Sequence, residues 1–275
     1  METKGFPTRA LRWGRNRILS LYDYIPGWLF TLTEGRRLRS LRDIHAGERC
    51  FVIGNGPSLA KHDLTKLANE KKFATNMFVV HPDLEKIHLD YYCVSDCVMW
   101  MPAGRFSQPC IEAFQKLPYC AFFLDKSYLP YHMWSRDLHN SQVYFVNVDE
   151  RRHAFEGDFS VDIPSHTSWG RTVIIDLCLP LAFYLGFKEV FLLGCDCDFG
   201  TAKVADGPKA GARFYDSKQD TRQLSAFDTE EWYDQTISSY RVAREVFEAN
   251  GRKIYNAGVG GKLEVFERVN YDSLF

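Results

Sequence analysis

The sequence predicts an α/β domain: a mostly parallel sheet covered by helices on both faces, with a lid loop. Three observations carry that expectation. Short apolar runs of strand length recur along the chain, and helical patterns fall between them rather than in a separate block. The clearest run, Phe51 to Ile53, leads straight into Gly54, Asn55, Gly56 and Pro57, which reads as a strand, a tight turn and a helix start. Residues 200–230 are rich in Gly, Lys, Asp and Ser with little apolar period, the composition of a long functional loop.

The opening strand organises the rest. Phe51, Val52 and Ile53 are apolar and partly β-branched, as suits a strand buried on both faces. Gly54 and Gly56 let the backbone turn sharply and approach a ligand with no Cβ in the way. Pro57 suits the first position of a helix, where its missing N–H costs nothing, and Ser58 to Leu67 can supply the helix or helical turn. Free N–H groups and the helix dipole would then face an anion at the turn, and a nucleotide phosphate is the expected occupant. The plain alternative is a strand-to-helix turn with no ligand. No Gly-Lys-Ser/Thr follows, so this is not a Walker A loop, and the third glycine of the dinucleotide fingerprint is missing.

At 275 residues the chain suits one α/β domain with an accessory segment. A composition of 45% hydrophobic and 25% charged residues is ordinary for a globular protein. A net charge of −1 gives no case for nucleic-acid binding. Eight cysteines without a signal-peptide pattern suggest reduced thiols in a cytoplasmic protein. Residues 1–45 read as a distinct basic arm, with Arg9, Arg12, Arg15, Arg17, Arg36, Arg37, Arg39 and Arg42, and residues 46–275 as the α/β domain expected to bind the ligand. In the arm Leu11, Ile18 and Tyr22 share a helical face, interrupted by Arg15, and Trp13, Trp28 and Phe30 add aromatics. Such an arm either lies on an anionic membrane surface or packs on its own domain or on another subunit of a homo-oligomer. The apolar stretch Ile25 to Leu32 is too short to span a bilayer.

Further along, Phe73 to Asn76, Tyr91 to Val94, Tyr119 to Leu124 and Val143 to Val146 read as strands. A brief helix is expected from His81 to Ile87 and another from Pro109 to Leu117. Thr167 or Ser168 can cap a helix from Trp169 to Leu185 that Pro180 kinks and Gly186 stops. Glu189 to Gly194 is the next strand, Trp232 to Asn250 an amphipathic helix ended by Gly251, and Lys253 to Asn256 the last strand.

Ligands of parallel α/β sheets collect beyond the carboxyl ends of the strands. That rim carries Gly54–Ser58, Asn76, Ser95, Asp96, Asp196, Asp198 and Asn256. Asn76 and Asn256 can bond a ribose or base, and Asp96, Asp196 or Asp198 can hold ribose hydroxyls or a cation; each is equally an ordinary strand-end cap. Cys93 with Cys97 and Cys195 with Cys197 lack metal-ligand spacing and read as small buried hydrophobes. His166 and His153 are candidate bases or surface histidines, and there is no Gly-x-Ser-x-Gly elbow.

Three segments carry a family resemblance: Phe51–Leu59; Thr167, Ser168, Trp169 and Gly170; and the run Leu185–Asp196. They resemble the bacterial sialyltransferases of glycosyltransferase family 42 and the related 6-hydroxymethylpterin pyrophosphokinase-like (MptE-like) domains. The ending, Asn256 to Phe266, is similar to the MptE-like group. The resemblance covers residues 49–275 and leaves the arm unmatched. It implies a Rossmann-like, GT-A-like variant with a lid at about 200–230, binding a CMP-sugar donor without an obligatory metal or cofactor. It implies that Gly54, Asn55, Gly56 and Ser58 meet the nucleotide phosphate and ribose, with Asn76 near the leaving group. Thr167, Ser168 and Gly170 would line the nucleotide pocket, and Tyr215 would be a lid tyrosine that steadies the departing phosphate. The reaction implied is inverting transfer of sialic acid or a related acidic sugar to a surface glycan or glycolipid, with a base removing the acceptor proton. Here the chain departs from the pattern. No histidine follows His166, so the base falls to Asp234, with Glu231 and Tyr233 beside it, or to His166; Ser165 stands where an arginine is expected. The alternatives are a pyrophosphokinase using ATP and Mg²⁺, and a nucleotide-binding module without catalysis.

Overall fold

A computed structural model describes residues 27–95, 108–129, 142–198, 203–204, 207–208 and 229–275. Eight strands form one sheet: β1 (Arg49–Ile53), β2 (Lys71–Thr75), β3 (Tyr91–Val94), β4 (Ala121–Asp125), β5 (Gln142–Val146), β8 (Glu189–Leu193), β11 (Lys253–Asn256) and β12 (Glu267–Arg268). Their order is β12-β11-β8-β1-β2-β3-β4-β5, and every neighbouring pair in it is parallel. The fold is therefore α/β. Two short strands, β6 (Val148–His153) and β7 (Thr167–Trp169), pair parallel in a separate ribbon, and β9 (Lys203–Val204) pairs antiparallel with β10 (Gly207–Pro208).

Strand residues alternate between two cores, as a period of two demands. Cys50, Val52, Phe73, Cys93 and Phe123 join one, and Phe51, Ile53, Ala74, Tyr92, Phe122 and Leu124 the other. The first core is covered by α3 (Leu179–Tyr184) with the turn before it, and by α4 (Thr229–Ala249). The second is covered by α2 (Gln108–Lys116) and by short 3-10 turns at Pro57–Lys61 and Leu64–Leu67. Six of the seven described cysteines are buried and all seven are free, with burial pushing most of their thiols up.

The chain runs outward in one direction from β1 to β5, then returns to place β8, β11 and β12 on the other side of β1. The topological switch point thus lies between β1 and β8, where an open parallel sheet forms its ligand crevice.

The segment after Pro57 takes the form of helical turns, two of them 3-10. Two expected helices differ. After a 3-10 turn at Asn76–Val80, residues 81–87 make successive single turns, with Leu84 N–H donating to His81 O at 3.0 Å and Lys86 N–H to Asp83 O at 2.9 Å, rather than a continuous helix. Thr167 and Ser168 do not cap a helix; they form β7, because the Thr167 N–H donates to the Asn147 carbonyl at 2.8 Å and draws this segment onto β6. The helical path begins only at a π-helical turn, Ile174–Cys178. There the Leu179 N–H reaches back five residues to the Ile174 carbonyl. The wider turn makes room for Pro180, which has no N–H to continue an ordinary ladder.

The arm's residues from Gly27 pack on the sheet. In α1 (Gly27–Arg39), Phe30 and Leu38 are buried, and Arg37 donates to the β5 carbonyl of Val143 at 2.9 Å. His45 stacks on Phe187 with centroids 4.7 Å apart and bonds the Tyr91 hydroxyl at 2.5 Å. Leu11, Ile18 and Tyr22 lie outside the described residues. Among the described residues no helix is long and apolar enough to cross a membrane.

Candidate functional site

At the switch point two glycine turns lie against each other. Gly54 N–H donates to Leu193 O and Gly56 N–H to Gly194 O, both at 2.8 Å. A Cβ on Gly54 would fall 2.5 Å from the Gly194 carbonyl, and one on Gly56 would run into the Asp196 carboxylate. Glycine is required at both places by this crossing of main chains.

The Ser58 amide does not wait for a phosphate. It donates to Asp196 Oδ2 at 2.8 Å, and the Ser58 hydroxyl donates to Asp196 Oδ1. A carboxylate from β8's exit loop therefore occupies the anion position that the sequence suggests for a nucleotide. The turn after Pro57 is also too short to have a helix dipole of consequence. Ser58 and Asp196, both buried, are better described as a clasp between the β1 and β8 loops. Lys262 N–H donates to the Asp196 carbonyl at 2.7 Å and holds the clasp from the β11–β12 loop.

The clasp sets Asn55 at the centre of the rim. Its Nδ2 donates to the Thr75 carbonyl at 3.1 Å and the Thr75 hydroxyl at 3.0 Å. Asn76 follows with a φ of 45°, and its carbonyl accepts from the Tyr92 hydroxyl at 2.7 Å. Beyond β3, Ser95 donates to Asp176 Oδ2 at 2.9 Å, while Asp176 Oδ1 accepts the Gly170 N–H at 2.8 Å. The Thr167–Gly170 segment thereby reaches across the rim, from Asn147 after β5 to the end of β3. Asp125, the last residue of β4, accepts from Ser127 N–H at 2.9 Å and Val148 N–H at 3.2 Å, and burial pushes its carboxyl up. Among the described residues three buried acceptors on this rim have no hydrogen-bond partner: Asn55 Oδ1, Asn147 Oδ1 and Thr167 Oγ1.

Other expected contacts resolve differently. Asn256 is engaged within its own loop, donating to Leu263 O at 2.8 Å and accepting from Gly258 N–H at 2.9 Å. Ser168 is buried and bonds Asp158 at 3.3 Å and the Ser160 N–H at 3.1 Å. Asp198 pairs with Lys262 at 3.1 Å. His166 shares a hydrogen bond with Ser165 through Nδ1 at 3.0 Å, one residue before β7. Asp234 is exposed on the second turn of α4. Its neighbours tie that turn to the rim: Tyr233 donates to Lys262 O at 3.4 Å and Gln235 accepts from Arg171 at 2.5 Å. Asp96 and Tyr215 lie outside the described residues, as does most of the expected lid. Among the described residues no three His, Cys, Asp or Glu side chains gather as a metal site.

Gly170 is held by packing: a Cβ there would fall inside the van der Waals envelope of buried Ile175. Gly170→Ala should lower stability by about 1–3 kcal/mol, the usual range for overpacking. Urea unfolding measures it, and an unchanged midpoint would mean the turn tolerates a methyl.

No protein-family model matches the chain, and no curated protein matches it. Among solved structures, the MAf glycosyltransferase from Magnetospirillum magneticum AMB-1 superposes with a TM-score of 0.48 and 13% identity, over 85% of this chain. The chain spans 35% of that protein's length. A likeness of that degree carries no functional inference.

Asp176, Asn147 and Arg171 were not singled out in the sequence. Asp176 had a signal: a lone carboxylate inside the apolar run Val173–Leu185 must find partners if it is buried. Asn147 and Arg171 had none, because their neighbours come from distant segments.

Proposed function

We propose that the protein is a glycosyltransferase that moves an acidic sugar from a CMP-activated donor to a glycan or glycolipid acceptor with inversion. The observation that supports this reading best is the set of buried, unpartnered acceptors, Asn55 Oδ1, Asn147 Oδ1 and Thr167 Oγ1, on the carboxyl rim of a parallel sheet. Buried polar atoms in folded proteins almost always find a partner, so such atoms, spaced along one rim from the end of β1 to the end of β5, suggest an extended ligand rich in hydroxyl or amino donors. A ribose, a cytosine amino group and a sugar supply those donors. With the Ser58 amide taken by Asp196, recognition of the nucleoside and sugar would provide more of the binding than phosphate capture. Asp234, exposed beside the rim, is the proposed general base; His166 is the second candidate. No divalent cation is called for in this scheme. The protein would work in the cytoplasm, with peripheral contact between residues 1–26 and the membrane as a further proposal.

Thermal shift with CMP, CDP, UDP and ATP, each with and without Mg²⁺, tests the reading, since a ligand that binds only the folded state raises its melting temperature. CMP should stabilise without metal. Stabilisation by ATP only with Mg²⁺ would favour pyrophosphoryl transfer, and CMP binding without CMP-sugar hydrolysis would favour a non-catalytic module.

A further inference from the structure

We propose that Arg171 is an anion-recognition residue, whose guanidinium takes a carboxylate or phosphate of the substrate at the rim. The inference rests on the glycosyl-transfer reading for the identity of that substrate, and on the structure for the site itself.

The first observation is backbone strain. Arg171 has a φ of 75°, in the left-handed region that non-glycine residues rarely occupy. The surroundings enforce it. Gly170 N–H is fixed on Asp176 at 2.8 Å, Gly170 is pressed against Ile175, and the Thr172 carbonyl accepts from Ile175 N–H at 2.9 Å and Asp176 N–H at 2.8 Å. Strain that is retained against such a cost marks a residue whose placement matters.

The second is the cage around the guanidinium. Its carbon lies 4.3 Å from the Trp169 ring centre, 4.8 Å from that of Trp232 and 5.6 Å from that of Phe155. These rings come from β7, from α4 and from the turn after β6, so three elements fix one cation. Nε–H donates to Gln235 Oε1 at 2.5 Å, and Gln235 is itself held by Glu231 at 2.8 Å.

The third is the absence of a direct ion pair. Among the described residues no carboxylate ion-pairs with Arg171, and its paired Nη groups donate to no protein acceptor. Partial desolvation by the rings lowers its pKa, opposed only by Glu231. A pre-oriented, partly desolvated guanidinium with its fork uncommitted matches the bidentate geometry of a carboxylate or phosphate. An arginine serving only as a packing element would need neither the left-handed backbone nor the open fork.

Two anion sources are possible, the carboxylate of an acidic sugar and the phosphate of a nucleotide, and separate probes distinguish them. The full chain is titrated with N-acetylneuraminate, which has a carboxylate and no phosphate, and with CMP, which has the reverse. Tryptophan fluorescence is the readout because Trp169 and Trp232 both flank the guanidinium. Wild type should bind at least one, and Arg171→Gln should weaken that one at least ten-fold, with Arg171→Lys intermediate. Arg171→Gly, which relieves the left-handed strain, should show the same loss of binding with a melting temperature equal to or above wild type. Equal affinity of Arg171→Gln and wild type for both probes would overturn the proposal, as would a wild type that binds neither. CMP and N-acetylneuraminate binding that are both unchanged in the variant would remove Arg171 and leave the transferase reading standing, whereas loss of N-acetylneuraminate binding alone would assign the site to the sugar carboxylate. Lost anion binding in the variant, with no CMP-sugar turnover by wild type, would do the opposite.

Discussion

Asp196→Ala should cost about 2–4 kcal/mol of stability and loosen nucleotide binding with it. The carboxylate accepts the Ser58 N–H and hydroxyl in a buried corner, so its removal leaves two donors without partners. Each unsatisfied buried donor costs roughly 1–3 kcal/mol, more than the net worth of an ordinary hydrogen bond. Asp196→Asn keeps one acceptor and should lose less. Gly56→Val attacks the same clasp from the opposite loop, because its Cβ would occupy the space of the Asp196 carboxylate and lie 2.8 Å from Gly194 O. The two substitutions should therefore be strongly non-additive in a double-mutant cycle, as expected for groups in direct contact. Chemical denaturation of the four proteins measures this. Additive losses, or an Asp196→Ala variant as stable as wild type, would mean the clasp does not hold the two loops together.

Asp234→Asn should reduce glycosyl transfer by at least about 100-fold while leaving CMP affinity within about two-fold, the range expected for removal of a general base. The substitution is nearly isosteric and the side chain is exposed on α4, so little packing depends on it. The adjacent Tyr233 and Gln235 continue to anchor the turn to Lys262 and Arg171. Single-turnover transfer from CMP-N-acetylneuraminate and calorimetric titration with CMP separate chemistry from binding. Full activity in the variant would pass the role of base to His166, and a matching loss in His166→Gln with Asp234 intact would establish that.

Most of the sheet was legible in the sequence because its inner strands are buried on both faces, whereas the exposed two-residue edge strand β12 has no apolar run to announce it. Runs such as Phe51 to Ile53 and Glu189 to Leu193 can be little else when glycine or polar turns bound them. Helix-level detail was less legible, since it depends on tertiary partners. Thr167 and Ser168 have the chemistry of helix caps, yet the Asn147 carbonyl recruits the segment into a strand. Pro57 signals a helix start, yet the Asp196 carboxylate and the tight crossing at Gly194 limit the chain to a 3-10 turn. The site shows the same division. Glycines and strand-end polar residues do lie at the carboxyl ends of the strands, but Ser58 and Asp196 satisfy each other and Asn256 bonds within its own loop. Pairings between residues 138 positions apart leave no local trace in a sequence. Arg171 is the extreme case: its cage is assembled from rings whose proximity only the fold creates.

Hydrogen exchange of the full chain, with and without CMP and in the absence of divalent cations, tests the location of the ligand directly. The crevice between β1 and β8 and the segment across its rim should become protected, specifically residues 54–58, 75–77 and 167–171, while the far edge at β12 stays unchanged. Protection confined to other segments, or none at saturating CMP, would contradict a nucleotide site at the switch point of this sheet.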